Sequence, residues 1–377
     1  MDMENNVFML AGPVKMHPRV LKAMQMPAIA HRSAEFKEVN REIKELLHYL
    51  FQTKARVTVL NGSGTAGLDA AISNLLKKGD RVLNIANGKF SERFYEISKV
   101  YANPTLYSVE WGKAPDIDRV AELLEENEFK AVTLCHNETS TALTNPAKEI
   151  ARLAKKHGAF FILDVITSLG GIPVDFDGWG VDIAVVGSQK CIAAPAGLAA
   201  VAVSDEAYEA LHSDGSYYLN LKAHLDKMED KNDTPYTPAT HLYLAFREAL
   251  RLLKEEGLEN RIARTHRLAE ATRAAVKAMG LELFPDPNYA SDTVTGVWYP
   301  EGIDDSLRKN LREKHGVVIA GGQAHVKGKI FRIGHMGICD FTDLLPTIGA
   351  LEIELQNMGY TGFNLGDGVE EVLKRMK

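Results

Sequence analysis

Short apolar segments alternate with helical patterns of apolar and polar positions between Val57 and Val203. In the helical pattern at 66–78, Leu68, Ala71, Ile72 and Leu75 recur at the spacing of one buried helix face. Strands that alternate with helices of this length predict an α/β fold with a largely parallel sheet covered by helices on both faces. The predicted strands are 57–60, 81–86, 105–109, 131–136, 160–165, 182–187 and 198–204, and the predicted helices are 66–78, 91–101, 117–126 and 146–157.

The pattern changes after Ala245. A long helical pattern runs from Leu258 to Met279, and the predicted strands beyond it are fewer and farther apart, which favours a smaller α+β domain. These strands are 281–284, 293–299, 317–320 and 329–334, with helices near 304–314 and 341–357. We expect an N-terminal arm at 1–16, a large domain at 17–257 and a small C-terminal domain at 258–377. The tail at 360–377 is expected to dock a short amphipathic helix on the surface.

Composition and charge narrow the function classes. The chain has 377 residues, of which 45% are hydrophobic and 25% charged, as in an ordinary globular protein of two domains. Its net charge of -6 indicates no nucleic-acid or membrane partner. Cys135, Cys191 and Cys339 are too scattered for a disulfide framework or a metal site, so no metal is expected. The N-terminus is acidic where a signal peptide would be basic, which predicts a cytoplasmic protein.

Two isolated charges lie in strongly apolar segments. Lys190 is the only charged residue between Ile183 and Val203, and Asp164 is the only one between Phe160 and Gly171. Buried charge is costly unless it is paired or used in chemistry. One interpretation is a mutual salt bridge or a lysine that reaches solvent. The other is a nucleophilic lysine in a dry site, oriented by the carboxylate.

A glycine-rich turn favours the second interpretation. Residues 61–67, with the sequence NGSGTAG, follow a predicted strand and open a predicted helix. Free N–H groups at such a helix start bind phosphate, although the turn matches neither a dinucleotide fingerprint nor a P-loop. A phosphate cradle, an isolated carboxylate and an isolated lysine together indicate pyridoxal 5'-phosphate (PLP).

The chain resembles the class V aminotransferases of PLP fold type I, in particular the alanine–glyoxylate and serine–pyruvate branch. This resemblance implies a large domain, with a mostly parallel sheet between helices, and a smaller α+β C-terminal domain. The matching motifs follow the family's order over nearly the whole chain: Ala11-Gly12-Pro13, His31-Arg32-Ser33, GSGTAGLDAA from Gly62, NGKFSER from Asn87, HNETST from His136, ILDVITSLGG from Ile162, GSQK from Gly187, YTPAT from Tyr236, AGG from Ala320 and FRIG from Phe331.

The resemblance also implies roles for individual residues. Lys190 would form the Schiff base with PLP, and Asp164 would contact the pyridine nitrogen. Arg332, the third lone charge, would bind the substrate α-carboxylate through its planar fork. The remaining implied cofactor contacts are Ser63, Gly64, Thr65 and Gln189 at the phosphate, Phe90 stacked on the ring, and Thr139 near the phenolic oxygen.

Thr237 matches a residue that reaches the phosphate of the neighbouring subunit, which implies a homodimer with shared active sites. The tyrosine that the family often places three positions earlier is replaced by Thr234. Whether Tyr236 contacts the phosphate instead is left open.

The implied reaction is transfer of an amino group between small amino acids, such as alanine and serine, and 2-oxo acids, such as glyoxylate and pyruvate. His31-Arg32 also resembles a pair in phosphoserine aminotransferases. A second substrate anion at Arg32, with His335 as companion, would favour aspartate or phosphoserine with 2-oxoglutarate. Arg32 could equally be an interface or capping residue. Two further alternatives are another PLP enzyme, a desulfurase or lyase, and a non-catalytic subunit that keeps the fold.

Overall fold

The computed structural model describes residues 6–376, which form two main sheets with their covering helices. The strands are β1 (Val7–Met9), β2 (Arg56–Asn61), β3 (Arg81–Ala86), β4 (Asn103–Ser108), β5 (Ala131–Cys135), β6 (Asn137–Glu138), β7 (Leu143–Thr144), β8 (Phe160–Asp164), β9 (Ile183–Gly187), β10 (Leu198–Val203), β11 (Val294–Trp298), β12 (Val317–Gly321) and β13 (Ile330–Gly334). The helices are α1 (Pro18–Met24), α2 (Ala34–Phe51), α3 (Gly64–Leu75), α4 (Lys89–Tyr101), α5 (Ile117–Glu126), α6 (Ala147–Lys156), α7 (Phe176–Trp179), α8 (Asp205–Ala210), α9 (Leu221–Lys231), α10 (Thr240–Glu256), α11 (Leu258–Ala278), α12 (Ser306–His315), α13 (Phe341–Asn357) and α14 (Asp367–Arg375).

The seven-stranded sheet has the order β2-β10-β9-β8-β5-β3-β4. Only β10 runs antiparallel to its neighbours, so the expected mostly parallel α/β sheet is confirmed. Its central strands are almost entirely apolar, because helices cover both faces. In β8, Leu163 packs into the core under α2, α6 and α10, whereas its neighbour Ile162 packs into the core under α3 and α4.

The four-stranded sheet has the order β1-β12-β13-β11. Strand β1 lies parallel to β12, and the other pairs are antiparallel. Helices α11, α12, α13 and α14 supply the apolar residues of its core. Strand β1 lies within the expected arm at 1–16 and yet belongs to this smaller sheet, while residues 1–5 of that arm lie outside the described residues. The domain boundaries at 16 and 257 stay predictions.

Some predicted elements differ from the structure. The predicted strand at 281–284 is wrong: the segment makes only an isolated bridge between Leu283 and Val297, and Pro285, which has no N–H to donate, follows directly. Helix α3 begins at Gly64, earlier than the predicted 66, because Ser63 takes the N-cap position inside the glycine-rich turn. The pattern does not predict the strands β1, β6 and β7 or the helices α1, α2, α7, α8, α9 and α10.

The tail forms the short helix expected of it. Helix α14 packs against α11 and α13, with Val372 fully buried. The buried carboxylate of Glu352 accepts hydrogen bonds from the N–H groups of Gly366, Gly368 and Val369, at the start of this helix. These charge-assisted bonds fix the tail to α13. Between residues 6 and 376, no helix combines the length and the apolar character that crossing a membrane requires.

Candidate active site

A cavity opens at the edge of the large sheet where its parallel strands end. Asp164 is the last residue of β8, Lys190 follows the end of β9, and Ser63 follows the end of β2. The carboxyl ends of parallel strands meet at one sheet edge, which is the usual place for a ligand. The residues that line the cavity are Ser63, Gly64, Thr65, Leu68, Phe90, Arg93, Cys135, Asn137, Asp164, Ile166, Thr167, Gln189 and Lys190.

The amine of Lys190 is buried in this cavity. Its Nζ donates a hydrogen bond of 2.9 Å to the main-chain oxygen of Ala11. Burial is the main cause that lowers the pKa of Lys190 to about 8, and the charge of nearby Arg332 acts in the same direction. Among the ion pairs of residues 6–376, none joins Lys190 to Asp164, so the salt-bridge interpretation does not describe this lysine. A buried amine with a lowered pKa is suited to nucleophilic chemistry.

Asp164 carries the second buried charge. Its Oδ1 accepts a hydrogen bond of 2.8 Å from the N–H of Ile166. Burial raises the pKa of Asp164 to about 7, while that hydrogen bond and the positive charge of Arg93 act in the opposite direction. A buried carboxyl with a raised pKa in a cavity marks a candidate functional residue, because a cationic partner would restore its charged form.

The start of α3 can bind a phosphate group. Ser63 occupies the N-cap position, but its side chain makes no capping hydrogen bond to its own helix. A Cβ at Gly64 would lie 2.4 Å from Cδ1 of Ile166, so only glycine lets the chain pass this close. The Oε1 atom of Gln189 is buried and has no hydrogen-bond partner among the described residues. An orphaned buried oxygen beside an uncapped helix start fits a polar ligand.

Phe90 is held in place by a buried carboxylate. It lies in the first turn of α4, where the N–H groups of Phe90 and Ser91 donate to Oε2 of Glu138 at 3.0 and 2.8 Å. A Cβ at Gly88 would lie 2.3 Å from Cγ of Glu138, so glycine is needed for this approach. Glu138 is fully buried and also accepts from Ser140. It therefore fixes the aromatic ring at the cavity wall.

Two charged residues at this site were missed from the sequence. Glu138 is the only carboxylate between Lys130 and Lys148, so the lone-charge criterion that singled out Lys190 applies to it as well. Arg93 gave no such signal because its helix carries several other charges. Its guanidinium donates to Oγ1 of Thr65 at 3.2 Å and lies 5.1 Å from the ring centroid of Phe90.

Arg332 and Thr139 meet beside this cavity but are not among its lining residues. Nη1 of Arg332 donates to the main-chain oxygen of Thr139 at 2.6 Å, while Nε and Nη2 donate to the oxygen of Gly321. Burial lowers the pKa of Arg332 to about 10. A guanidinium has five N–H groups, so one remains on each terminal nitrogen for an incoming carboxylate.

The other residues implied by the resemblance also lie outside the cavity lining. Arg32 forms an ion pair of 2.6 Å with Asp233 and donates to the main-chain oxygen of Thr234. His31 lies in the turn before α2. Thr237 is exposed, and its main-chain oxygen accepts from Asn61 at 3.1 Å.

Tyr236 and His335 have partners of their own. The hydroxyl of Tyr236 donates to the oxygen of Tyr217 at 2.8 Å, and its ring stacks on Tyr218. His335 is fully buried and bonds Thr295 at 2.9 Å, and burial lowers its pKa to about 3. A neutral histidine in this environment is a poor partner for a second substrate anion.

Comparison with known proteins assigns the family. The class V aminotransferase family matches residues 12–339. The chain belongs to this family, and the resemblance inferred from its motifs is confirmed. It is 46% identical over 365 residues to an uncharacterized aminotransferase of Methanocaldococcus jannaschii, with 95% of each chain covered.

Two further relatives carry different names. A soluble hydrogenase 42 kDa subunit of Anabaena cylindrica is 39% identical, with 96% of each chain covered. A serine–glyoxylate aminotransferase of Methylorubrum extorquens is 34% identical, with 94% of this chain and 92% of that protein covered. Among solved structures, the ureidoglycine–glyoxylate aminotransferase of Bacillus subtilis superposes with a TM-score of 0.93 at 33% identity, with 98% of each chain covered. The expected type I fold is thereby confirmed.

Proposed function

We propose that this aminotransferase uses PLP bound to Lys190 to move an amino group between small amino acids, such as alanine and serine, and glyoxylate or pyruvate. The observation that carries the proposal is the buried amine of Lys190, which shares one cavity with Asp164 and the uncapped start of α3. PLP supplies an electron sink that stabilises negative charge at the carbon bearing the amino group.

Different residues of the cavity would contact different groups of the cofactor. Ser63, Gly64 and Thr65 offer hydroxyl and N–H donors to the phosphate at the helix start, and Gln189 adds a polar side chain beside Lys190. Asp164 would hold a proton at the ring nitrogen of the bound cofactor, because a cation there would relieve the unfavourable burial of its carboxylate. Phe90 supplies an apolar face against the ring.

Lys190 and Arg332 act on the substrate. With a pKa of about 8, Lys190 has a sizeable neutral fraction near pH 7.5, so its lone pair can take the proton released when the substrate Cα–H bond breaks. The protonated amine of Lys190 then donates that proton again in a later step of the amino-group transfer. After its hydrogen bonds to the main-chain oxygens of Thr139 and Gly321, Arg332 keeps one N–H on each terminal nitrogen. These two N–H groups suit a bidentate contact with the substrate α-carboxylate.

Small substrates with glyoxylate as acceptor are supported by the names of two relatives, a serine–glyoxylate and a ureidoglycine–glyoxylate aminotransferase. Aspartate or phosphoserine with 2-oxoglutarate is the second candidate, since it would use Arg32 for another anion. Arg32 is engaged with Asp233 and Thr234, which supports a capping role instead. Arg32→Ala assayed with alanine, aspartate and phosphoserine separates the two, because a selective loss of the dianionic donors requires an anion site.

A homodimer with shared active sites is part of the proposal. Thr237, the residue expected to reach the neighbouring phosphate, is exposed. The ring of Tyr217 beside it is 83% exposed and stands next to Tyr218 and Tyr236. Exposed aromatic clusters of this kind suit a protein interface. Size measurement by light scattering tests the dimer, and a cytoplasmic location stays a prediction.

Other PLP reactions and a scaffold role receive less support. A desulfurase needs a reactive cysteine, but Cys191 is fully buried and burial raises the pKa of its thiol to about 12. Cys135 and Cys339 are buried as well. The name of one relative, a soluble hydrogenase 42 kDa subunit, favours a non-catalytic scaffold. Lys190, Asp164 and Arg332 are nevertheless all present, which supports a catalytic role.

An activity matrix tests the proposed function. Purified protein loaded with PLP is assayed with alanine, serine, aspartate, phosphoserine and glutamate against glyoxylate, pyruvate and 2-oxoglutarate. The highest kcat/KM is expected for alanine or serine with glyoxylate or pyruvate. A preference for the dianionic donors would select the second candidate, and no transfer between any pair would favour the scaffold.

A further inference from the structure

The segment at residues 10–15, which we call the lysine strap, lies against the side chain of Lys190 and contacts its amine. The only hydrogen bond of Nζ among the described residues runs to the main-chain oxygen of Ala11, at 2.9 Å. Ala11 is itself buried. A neutral amine that donates one N–H to this oxygen keeps its lone pair free, so the contact orients the amine without blocking it.

Gly12 lets the strap come this close. Its φ of +93° lies in the left-handed region that favours glycine. A Cβ at this position would lie 2.4 Å from Cδ, 2.5 Å from Nζ and 2.8 Å from Cε of Lys190. These atoms are the flexible end of a side chain, so an added methyl group would displace the lysine rather than prevent folding.

The strap is fixed to the protein at several points. The N–H of Val14 donates to the oxygen of Gln189 at 3.1 Å, and Lys15 pairs with Asp343 at 2.5 Å at the start of α13. A Cβ at Gly334 of β13 would lie 2.2 Å from the main-chain oxygen of Leu10. The strap directly follows β1, which pairs with β12 of the smaller sheet. The position of Ala11 is therefore set by contacts to the smaller sheet and its helix α13 together with the contact to Gln189, the residue next to the lysine.

We propose that the main-chain oxygen of Ala11, presented by the lysine strap, positions the amine of Lys190 for attachment to the cofactor aldehyde and for proton transfer at the substrate. Gly12 is the positioning residue on which this contact depends. The inference rests on the proposed function, since it assumes that Lys190 reacts with PLP. It adds a backbone acceptor and a glycine to the residues that control the lysine.

The expected effect follows from orientation. When Ala11 holds the lysine, the amine nitrogen occupies one defined position. Its approach to an aldehyde bound near the start of α3 then needs little rearrangement. When a methyl group at residue 12 displaces the side chain, the same reaction requires the amine to move back first. Attachment of PLP should slow, whereas binding of pyridoxamine 5'-phosphate, which forms no covalent bond with the lysine, should change little.

The test compares Gly12→Ala with a matched control, Gly359→Ala. Gly359 has the same φ of +93°, but a Cβ there meets nothing within 4 Å, so the control carries the backbone strain alone. Apo forms of both variants and of the wild type are mixed with PLP, and the borohydride-reducible yellow product is followed with time. The affinity for pyridoxamine 5'-phosphate and the Tm are measured in parallel.

For Gly12→Ala we expect covalent attachment at least tenfold slower than in the control, with affinity for pyridoxamine 5'-phosphate within about threefold of wild type. Attachment at the control rate would overturn the proposal. An equal loss of affinity for both ligands would also overturn it, because it would indicate general damage to the cavity. If the wild type itself forms no reducible product, the proposed use of PLP fails, which is a separate result.

A second variant covers the case in which Gly12→Ala does not fold. Lys15→Met removes the ion pair to Asp343 and leaves the lysine cavity untouched. It should slow PLP attachment severalfold by loosening the strap, with pyridoxamine 5'-phosphate binding retained. Attachment at the wild-type rate in a folded Lys15→Met protein would contradict the positioning role.

Discussion

The guanidinium of Arg332, on β13 of the smaller sheet, donates a 2.6 Å hydrogen bond to the main-chain oxygen of Thr139, which follows β6 beside the larger sheet. The contact joins the two parts of the fold beside the cavity that holds Lys190. The proposed substrate contact and the cavity are therefore linked by a side chain that is only 5% exposed.

Replacement of this arginine should impair substrate use. Arg332→Lys keeps a positive charge but loses the planar fork that serves Thr139, Gly321 and the carboxylate together. We expect kcat/KM for the amino donor to fall about 100-fold, with PLP still bound. Steady-state kinetics checks this, with Arg119→Lys, a surface partner of Glu122, as the control. Equal losses in both variants would contradict the assigned role.

Asp164→Asn should reduce catalysis more than folding. The amide cannot hold a proton at a ring nitrogen, so kcat should drop by about 100-fold or more while part of the cofactor stays bound. Asp182→Asn is a suitable control. Asp182 is also a buried carboxylate, but it precedes β9 and therefore lies at the amino ends of the parallel strands, opposite the cavity. That variant should lose stability and keep its specific activity. An unchanged rate for Asp164→Asn would make this carboxylate purely structural.

Lys190→Met should stabilise the apo protein at pH 7. The folded-state pKa of Lys190 is lowered from 10.5 to about 8, so the folded state disfavours the charged amine below pH 8, and this cost fades between pH 8 and 10.5. Removal of the charge should raise the free energy of unfolding by about 1–3 kcal/mol, since the bond to Ala11 offsets part of the gain. Urea denaturation across this pH range checks it. A variant less stable than wild type at pH 7 would contradict the assignment.

Glu138→Gln should displace the aromatic wall. Oε2 of Glu138 accepts from the N–H groups of Phe90 and Ser91, and Oε1 accepts from the hydroxyl of Ser140. In glutamine an NH2 group, which cannot accept a hydrogen bond, replaces one of these oxygens. In either orientation of the amide, at least one of these donors would therefore lose its acceptor. Unfolding free energy should fall by about 2–4 kcal/mol and PLP affinity at least tenfold. Glu354 is another fully buried carboxylate, in the core of the smaller sheet, and serves as the control. Glu354→Gln should lower the stability of the protein without lowering its affinity for PLP. Equal PLP affinities in the two variants would remove Glu138 from the site.

The sequence predicted the large sheet well for a physical reason. Strands buried on both faces form continuous apolar runs, so β5, β8 and β9 stand out from the chain. The same apolar background made Lys190 and Asp164 conspicuous, and both line the cavity. The pairing of β1 with β12 joins distant parts of the chain, and no local pattern records it.

The remaining site features leave weaker traces in the sequence. The acceptor at Ala11 is a backbone oxygen, which has no side-chain signature, and only the adjacent glycine hints at a close approach. Arg93 is hidden among the other charges of α4, whereas Glu138 satisfied the lone-charge criterion and was assigned no role. Thr237 does not line the cavity that holds Lys190, so the role that the resemblance implies for it, in a second subunit, stays a prediction.

Localisation of the cofactor on the chain tests the central claim most directly. Protein incubated with PLP is reduced with borohydride, digested and mapped by peptide mass spectrometry, with Lys190→Met treated in parallel. We predict one phosphopyridoxyl group per chain, at Lys190, and none in the variant. A label on another lysine, or an unlabelled Lys190 in wild-type protein, would contradict the assignment of this residue as the cofactor-binding amine.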